Sequence, residues 1–400
     1  MSRPSTEETQ AATLSTRKSG ARRVTRRARM AVSTLFFVEG FVAASWFVRI
    51  PEVKDRLNLS SGELGISLLS LTIGLIVAMP IVGWLLTRIG SRAVARVTAF
   101  LFVIVPVLPV LAVNQATLMV GLVLYGAVAG VLDVAINVQG STVEARMHRP
   151  VMSSFHGLYS AGGILGSAIG GGLAALGLSP RLHLFLVALI FGLLGGIMSG
   201  RLLPEGPARH GRPPMFVRPT RLLAILGIIA FCALLNEGAM SDWSAVYLRD
   251  AIGTGAGMAA TGFTVFSVTM AAGRLAGDRL AARFGAPLLI RLGGLVAALG
   301  LGLALAVPSL AASLIGFACV GAGMSFIFPL IVSAASRAGQ IAPGPAIAAI
   351  STAGYVGLMA GPSSIGLTAE LSSLRAALGI VVLLSLLVAL LASRTVAARE

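Results

Sequence analysis

Charged side chains are scarce in this sequence: they make up 12% of its 400 residues, while hydrophobic residues make up 56%. The mean hydropathy is +0.90. A soluble globular domain usually carries about 25% charged residues, so a water-soluble fold is excluded. The composition predicts an integral membrane protein.

Cysteine, lysine and histidine are also rare. The two cysteines, Cys232 and Cys319, both fall in apolar runs, which argues against a disulfide framework. The two lysines, Lys18 and Lys54, lie in no P-loop pattern, which argues against ATP-driven activity. The four histidines form no metal-ligand pattern with cysteine, and no Ser, His and Asp lie at one consistent depth. We therefore expect no catalytic residues, no metal and no cofactor.

Long apolar runs make up most of the sequence. A helix that crosses a bilayer needs about 20 apolar residues, and Ala, Leu and Gly fill these runs without the alternation of barrel strands. Twelve runs qualify: 30–50, 65–86, 94–113, 117–138, 153–176, 183–200, 222–244, 257–275, 287–307, 310–333, 345–367 and 374–393. The predicted fold class is an all-α integral membrane protein with twelve transmembrane helices.

The longest polar break, rich in Pro and Arg, divides these helices six and six, so we expect two six-helix bundles joined by a linker. The predicted segments are a basic disordered cytoplasmic tail (1–29), an N-terminal bundle (30–200), a cytoplasmic linker (201–221), a C-terminal bundle (222–393) and a cytoplasmic tail (394–400).

Basic residues indicate the orientation. With a cytoplasmic amino terminus, 25 of the 31 Lys and Arg belong to cytoplasmic segments, which the positive-inside rule requires. Both termini are therefore expected in the cytoplasm. The net charge of +16 then indicates topology and attraction to an anionic lipid bilayer rather than to nucleic acid.

The two halves of the sequence share short motifs in the same order. Glu39-Gly40 precedes Trp46, and Glu237-Gly238 precedes Trp243. Three other pairs share an offset of 195 residues: Arg88-Ile89-Gly90 with Arg283-Phe284-Gly285, Gly162 with Gly357, and Gly166 with Gly361. A shared offset indicates an internal duplication, and transporters are often built from such repeats.

The segment GWLLTRIGSR, residues 83–92, resembles the signature loop G-x-L-x-D-R-x-G-R-R of the major facilitator superfamily. Gly83, Arg88, Gly90 and Arg92 match, while Thr87 replaces the Asp that makes the family's usual charge contact with the neighbouring bundle. DVAINVQG, SSFHGLYSAGGILG, EGAMSDWSAVYLRD and TAGYVGLMAGPSSIG together resemble the bacterial MosC-like or YbjJ-like subgroup. The resemblance implies a multi-pass transporter of the bacterial cytoplasmic (inner) membrane, whose spans 1, 4, 7 and 10 line a central cavity.

Acidic residues inside apolar runs are costly, by about 2.5 to 3.5 kcal/mol near the span centre, so each requires a reason. Glu39, the most deeply placed acid, and Glu237 are the candidates for proton coupling. The alternative for Glu39 is a neutral carboxyl that is hydrogen-bonded to a neighbouring helix.

The resemblance places several polar and aromatic residues at the cavity. The candidates for its lining are Asp133, Asn137, Asn236, Trp46 and Trp243. Asp133 and Asn137 share a helix face. They either form a gate or contact a polar substrate, or they fasten the helix end to a partner. The two tryptophans otherwise belong to the aromatic belt at the membrane surface.

Three residues are candidates for a gate or rim, namely Arg49, Asp242 and His156. Arg49 either pairs with Asp242 or Glu237, or snorkels to the interface. Gly162, Gly166, Gly357, Gly361, Pro329 and Pro362 are expected at helix contacts or hinges.

We predict a secondary active transporter that moves a small organic solute by alternating access, and we expect no enzymatic activity. The transport is expected to be coupled to protons, so the partners are a small-molecule substrate, protons and the lipid bilayer, and the chain is expected to act as a monomer. The alternatives are proton-driven efflux of a drug or secondary metabolite, and a non-transporting membrane receptor or scaffold. Efflux families tend to carry an Arg in the fourth span and a Gly-Pro signature in the fifth, and this sequence has neither.

Overall fold

The computed structural model describes residues 6–59, 61–204, 220–338 and 341–395, and within these ranges every regular element is helical. Residues 205–219 of the predicted linker and 396–400 of the predicted tail lie outside the described residues. The elements are α1 Thr6–Phe47, α2 Ile50–Arg56, α3 Ser61–Ile104, α4 Val107–Leu111, α5 Gln115–Met147, α6 Met152–Ala175, α7 Pro180–Ser199, α8 Arg221–Asp250, α9 Ala256–Phe284, α10 Ala286–Ala306, α11 Leu310–Met324, α12 Ile327–Ser336, α13 Pro343–Leu371, α14 Leu374–Leu391 and a final 3₁₀ turn, Ala392–Arg394.

Ten helical segments of the described residues are long and apolar enough to cross a membrane. Their exposed large hydrophobic side chains are numerous, as expected where lipid replaces water as the solvent. The predicted all-helical membrane fold is therefore confirmed.

The first helix begins far earlier than the sequence suggested. Residues 1–29 were expected to form a disordered tail, but α1 already starts at Thr6 and continues to Phe47. Residues 6–29 contain many strong helix formers, including Ala, Arg, Glu and Gln, and no proline that would break the helix. Basic composition alone therefore did not indicate disorder here.

The bend in α3 separates the predicted spans 65–86 and 94–113. Gly90 has φ 78° and ψ 155°, and Gly285, between α9 and α10, has φ 79° and ψ 151°. A side chain at such a positive φ costs about 1–2 kcal/mol, which explains glycine at both positions. The two glycines lie 195 residues apart, so the offset found in the sequence recurs as the same backbone bend.

Helix packing follows the same repeat. Within residues 6–204, α1 packs on α6 and α3 on α5, and within residues 220–395, α8 packs on α13 and α9 on α11. We refer to these two groups of residues as the first and second halves. They meet at several helix contacts, of which α3 with α13 and α6 with α9 are the most extensive.

The helices end at two opposite faces of the molecule. We call inner face the end that carries Gly90, Gly285 and the connections α5–α6 and α12–α13, and outer face the opposite end. Side-chain contacts bring the inner connections together: Arg92 donates a hydrogen bond to the Gly200 carbonyl, and Gly344 packs against Leu86. At the outer face, Arg56 donates to the carbonyls of Val110 and Ala112.

Small residues allow the helix pairs to approach closely. A side chain at Gly162 or Gly166 would collide with the backbone carbonyls of α1, and one at Gly357 or Gly361 would meet those of α8. All four glycines therefore lie at backbone-to-backbone contacts, where only glycine leaves room.

The two prolines proposed as hinges differ in their surroundings. Pro329 lies in the first turn of α12, just after the helix is interrupted at Ser325 and Phe326. Because proline cannot donate a backbone hydrogen bond and collides with the carbonyl four residues earlier, it accounts for this interruption. Pro362 lies within α13, and its side chain is outside the part of the chain that the structure describes.

Candidate functional site

A cluster of polar side chains lies between the two halves at mid-depth in the helices. Its members come from five helices: Glu39 from α1, Asp133 and Asn137 from α5, His156 from α6, Arg274 from α9 and Tyr355 from α13. We call this set the central cluster.

Glu39 is 6% exposed, and its Oε2 atom has no hydrogen-bond partner among the described residues. Asp133 of α5 is the other acid of the central cluster. A buried and unpaired carboxylate is strongly disfavoured, whereas a protonated carboxyl is tolerated. The position therefore suits a group that binds and releases a proton.

Asp133 is held by two hydrogen bonds. Its Oδ1 accepts from Nδ2 of Asn137 at 2.9 Å, and its Oδ2 accepts from the Tyr355 hydroxyl at 2.6 Å. The second bond crosses from the first half to the second. Asp133 therefore fastens α5 to a partner helix, as one of the interpretations of the sequence expected, and its contact with a substrate stays a prediction.

His156 continues this chain of hydrogen bonds. Its Nε2 lies 3.2 Å from Oδ1 of Asn137, and its ring packs edge-on against Phe328 of α12. Because the Asn137 amide nitrogen already donates to Asp133, the Asn137 oxygen accepts, and His156 Nε2 carries the proton. His156 is buried, so it does not lie at an exposed rim, and its role in a gate stays a prediction.

Glu237 pairs with Arg274. Both carboxylate oxygens accept from Nη2 of Arg274, at 3.0 and 3.1 Å, and Nη1 of Arg274 donates to the Ser160 hydroxyl of α6 at 2.8 Å. The Glu237 side chain is 28% exposed and that of Arg274 only 9%. The acid therefore has a permanent counter-charge, whereas Oε2 of Glu39 has no partner among the described residues.

Sequence reasoning missed Arg274 and Tyr355. The predicted span 257–275 put Arg274 at a helix end, but α9 extends from Ala256 to Phe284 and places it near the middle. An arginine within an apolar run was the signal that could have identified it. Tyr355 carried no such signal, because a tyrosine hydroxyl near a span centre needs only one partner.

Other predicted cavity residues lie elsewhere. Asn236 is fully buried, and its Nδ2 donates to the Ser385 hydroxyl of α14 at 3.0 Å, within the second half. Trp46 is 1% exposed, so it belongs neither to a surface belt nor to an open cavity wall. Trp243 is partly buried and packs against Gly366 of α13.

Both interpretations of Arg49 were wrong. Its side chain is fully buried instead of snorkelling, and it pairs with Glu52 at 2.5 Å instead of with Asp242 or Glu237. Its Nε donates to Nδ1 of His183 at 3.0 Å, which ties the connection between α1 and α2 to α7. Burial explains the outcome, because a buried guanidinium requires a nearby acid and acceptor. Asp242 is exposed towards the outer face, a position that fits a rim residue.

Glu237 is also not the counterpart of Glu39. Gly162 packs on Phe37 and Gly357 on Phe231, so equivalent positions of α1 and α8 lie 194 residues apart, whereas the two acids lie 198 apart. Glu237 is thus four residues further along its helix, or about 6 Å. The shared Glu-Gly pair misaligned the two repeats by one helical turn.

Similarity to known proteins extends over most of the chain. The family model of the Major Facilitator Superfamily matches residues 32–339. The chain belongs to this superfamily. Its relatives are transporters and not enzymes, and the superfamily's members bind small molecules, often with protons, within the lipid bilayer.

Several bacterial relatives in the superfamily align over most of the chain. An uncharacterized transporter of this type from Yersinia pestis is 37% identical and covers 88% of this chain and 92% of its own length. An uncharacterized transporter from Sinorhizobium fredii is 35% identical over 90% of this chain and 96% of its own. The membrane protein MosC of Rhizobium meliloti is 32% identical over 90% and 88%. The resemblance to a MosC-like bacterial subgroup is therefore confirmed.

Solved structures of the superfamily share the fold. The transporter FucP in its outward conformation has a TM-score of 0.77 at 18% identity, covering 92% of this chain and 98% of its own. The human organic anion transporter MFSD10 has a TM-score of 0.72 at 14% identity, covering 92% and 99%. The proton:xylose symporter XylE has a TM-score of 0.70 at 14% identity, covering 92% and 94%.

The superfamily's signature loop lies at the inner face. Thr87 donates its hydroxyl to the carbonyl of Trp84 in its own helix, and the Arg88 guanidinium lies 5.0 Å from the centre of the Trp84 ring. Gly83 faces Pro345 and Ala348 of the second half. Both described side-chain contacts of Thr87 and Arg88 are thus local ones within α3.

A cavity of about 570 Å³ lies beside this loop, and its lining includes no member of the central cluster. Its lining is almost entirely apolar and comes from α3, α8 and α13: Met79, Pro80, Gly83, Leu223, Ala224, Gly227, Ile228, Phe231, Pro345, Ala348, Ala349, Thr352 and Ala353. Recognition of a polar solute needs several polar groups that converge, so this cavity does not fit that role. In the described residues no three His, Cys, Asp or Glu side chains are placed to hold a metal ion.

Proposed function

We propose that this chain is a secondary active transporter that carries a small polar organic solute by alternating access and couples its movement to protons. The observation that carries the proposal is the central cluster, in which an unpaired buried carboxyl lies beside a chain of hydrogen bonds that joins both halves. Carboxylate, amide, imidazole and hydroxyl groups at one depth suit a solute that both donates and accepts hydrogen bonds.

Glu39 is the proposed proton carrier. Its Oε2 atom has no partner in the described part of the chain, so its charged form is stable only where water or substrate reaches it. Asp133 nearby opposes a second negative charge at the same site. Glu39 is therefore expected to bind its proton when the site is occluded and to release it when the site opens.

Glu237, also proposed from the sequence, is a weaker candidate for this role. Its carboxylate is already the partner of Arg274, and loss of that pair would leave a buried guanidinium without an acid. We assign the Glu237–Arg274 pair to substrate orientation rather than to proton uptake.

The proposed topology has twelve spans in two bundles of six. The bend at Gly90 divides α3 into two spans, and α9, with 29 residues, is long enough to cross the membrane although its polar residues lower its hydropathy. With the inner face in the cytoplasm, both termini lie there, in a bacterial inner membrane. The chain is expected to work as a monomer, because each half contributes to a single cluster.

Drug or secondary-metabolite efflux is not proposed. The export hypothesis has no supporting observation in the bacterial relatives, and a non-transporting receptor gives no reason for an unpaired carboxyl between the halves. The structural neighbours FucP of E. coli and XylE are proton symporters for fucose and xylose, which agrees in kind with the coupling proposed here.

Purified protein in lipid vesicles tests the proposal. Vesicles with and without the protein, loaded from a broad mixture of metabolites at two imposed pH gradients, are expected to differ in the content of one solute class. Accumulation against a gradient should rise with the inward proton gradient. A lack of any difference across the panel would contradict transport.

The variant Glu39→Gln is expected to abolish accumulation while leaving exchange of solute across the membrane partly intact. Glutamine keeps the size and hydrogen bonding of the side chain but cannot lose a proton. Glu370→Gln, the same substitution at an exposed acid near the end of α13, is the matched control and should transport as the parent does. Uphill transport at the parental rate by Glu39→Gln would overturn the assignment.

A further inference from the structure

The N-terminus of α6 lies at the inner face and has four backbone N–H groups that no helical carbonyl can satisfy. Its own N-cap residue, Val151, has no side chain able to accept them. Two carboxylates take this role. Glu144 of the neighbouring α5 accepts from the N–H groups of Val151 and Met152, at 3.0 and 3.1 Å.

The other two donors are satisfied from the opposite half of the molecule. Asp278 of α9 accepts from the N–H of Ser153 at 2.8 Å and from that of Ser154 at 3.0 Å. The Ser153 hydroxyl also donates to the backbone carbonyl of Arg274 at 2.8 Å. One turn of α9 is therefore bound to the first turn of α6.

A second link between the halves lies beside this one. Arg337, just after α12, pairs with Glu144 at 3.0 Å. The Arg337 side chain is 61% exposed, so this pair is screened by solvent and contributes little on its own. Asp278 is less exposed, and its contact with α6 consists of two charge-assisted hydrogen bonds.

The related contact in the other repeat is built differently. Gly83 of α3 lies 195 residues before Asp278 and offers no carboxylate. The helix that it faces, α13, begins with Pro343 and contains Pro345, and neither residue has an N–H group to be capped. Among the described residues, the α6–α9 contact thus pairs a carboxylate, that of Asp278, with backbone N–H groups at the start of α6. The α3–α13 contact has glycine in place of the carboxylate and prolines in place of two of the donors.

We propose that Asp278 is the latch that holds the inner face closed, and that it acts in the α6–α9 contact alone. Opening of the inner face requires α6 and α9 to separate, which leaves the Ser153 and Ser154 N–H groups without a partner until water reaches them. The α3–α13 contact at Gly83 is apolar and resists separation without any such bond.

The latch is continuous with the central cluster. Arg274 lies one helical turn from Asp278, and its side chain binds Glu237 and Ser160 while its carbonyl binds Ser153. A solute that displaces Glu237 or Ser160 from Arg274 therefore disturbs the same turn of α9 that holds α6. This link rests on the proposed function, whereas the latch itself does not.

Distances between spin labels test the latch without any substrate. Labels on Arg149→Cys and Ala282→Cys, both exposed at the inner face of different halves, report its opening in lipid nanodiscs. Cys232 and Cys319 are first replaced by Ala. Asp278→Ala is expected to shift the ratio of open to closed molecules about tenfold towards the longer distance, which corresponds to about 1.4 kcal/mol.

Two further variants make the result specific. Asp278→Asn, which retains an acceptor oxygen but no charge, should give an intermediate shift and also serves if the alanine variant does not fold. Asp250→Asn, at an exposed outer position beside Arg249, should leave the distances unchanged. Parental distances in both folded Asp278 variants would overturn the proposal. The measurement involves no solute and no proton gradient. Parental distances would therefore contradict the latch alone, whether or not the proposed transport function is correct.

Discussion

Asp133 shows how much one residue depends on a partner from the other half. Its carboxylate would be left with one partner instead of two if the Tyr355 hydroxyl were removed, since Asn137 is its only other described hydrogen-bond donor. A buried acceptor that loses its donor costs about 1–3 kcal/mol.

The variant Tyr355→Phe is therefore expected to lower the free energy of unfolding by about 1–3 kcal/mol. It should also weaken solute binding, because Asp133 loses its fixed orientation. Thermal unfolding in detergent measures the first effect and ligand-induced stabilisation the second. Tyr247→Phe is the matched control: its hydroxyl is buried without a partner in the described residues, so its removal should cost nothing. Equal stability of the two variants would contradict the role of Tyr355.

For single residues, the sequence predicted the buried acids better than it predicted the side chains that contact them. Glu39 and Asp133 were identified because a carboxyl in an apolar run is costly and therefore marks either a proton site or a fixed contact. Asn236 and Trp46 were placed in the cavity because the family resemblance assigns their helices to its lining. The direction in which each side chain points, towards Ser385 or the protein interior, depends on helix rotation. Rotation about the axis is decided by packing against neighbours, which a single sequence does not specify.

The helices depend on glycine where their backbones touch. Gly162 faces the Phe37 carbonyl so closely that no Cβ fits, whereas Gly171 in the same helix has open space beside it. The same helix therefore contains a glycine that packing requires and another that packing does not.

Gly162→Ala is expected to lower the free energy of unfolding by about 1–3 kcal/mol, because α1 and α6 must move apart. Gly171→Ala should be neutral or stabilising, since alanine favours a helix over glycine by about 1 kcal/mol. The fraction of folded protein after heating in detergent, measured by gel filtration, distinguishes the two. Equal losses in both variants would show that the contact with Phe37 is not what matters.

Element limits were the less predictable part of the fold. The apolar runs identified the helical segments, but hydropathy ended the eighth span at residue 275, while α9 continues to Phe284. The extra turns contain Asp278, Arg279 and Arg283, whose charges lower the hydropathy although Asp278 is held by α6. Charge inside a helix is tolerated when another helix supplies its partner, and that partner is remote in the sequence.

The whole molecule is built from two related halves that are not equivalent. The bends at Gly90 and Gly285 and the glycine contacts of α6 and α13 obey one repeat. The two acids do not follow this repeat, because Glu237 lies one helical turn beyond the position that corresponds to Glu39. Packing thus retains the duplication, and the polar groups depart from it.

Orientation in the membrane is the property of the whole molecule that is most directly testable. Alkaline phosphatase, which is active only outside the cytoplasm, can be fused after Gly177 or Gly253 at the outer face, and after Arg149 or Arg394 at the inner face. We expect activity from the first two fusions only, because the basic residues cluster at the inner face. Fluorescent-protein fusions, active only in the cytoplasm, provide the control and should give the reverse pattern. Activity after Arg149 or Arg394 would contradict a cytoplasmic inner face.

The different pairing of the two acids also has an electrical consequence. The Glu237–Arg274 pair is neutral as a unit, whereas an ionised Glu39 adds one uncompensated negative charge to the site. If the proton is carried on Glu39, the empty transporter returns to the outside with that negative charge. A membrane potential that is negative inside drives this return, with up to about 2.3 kcal/mol per 100 mV for a charge that crosses the whole field. The cycle should therefore run faster in energised membranes even when no pH gradient is present.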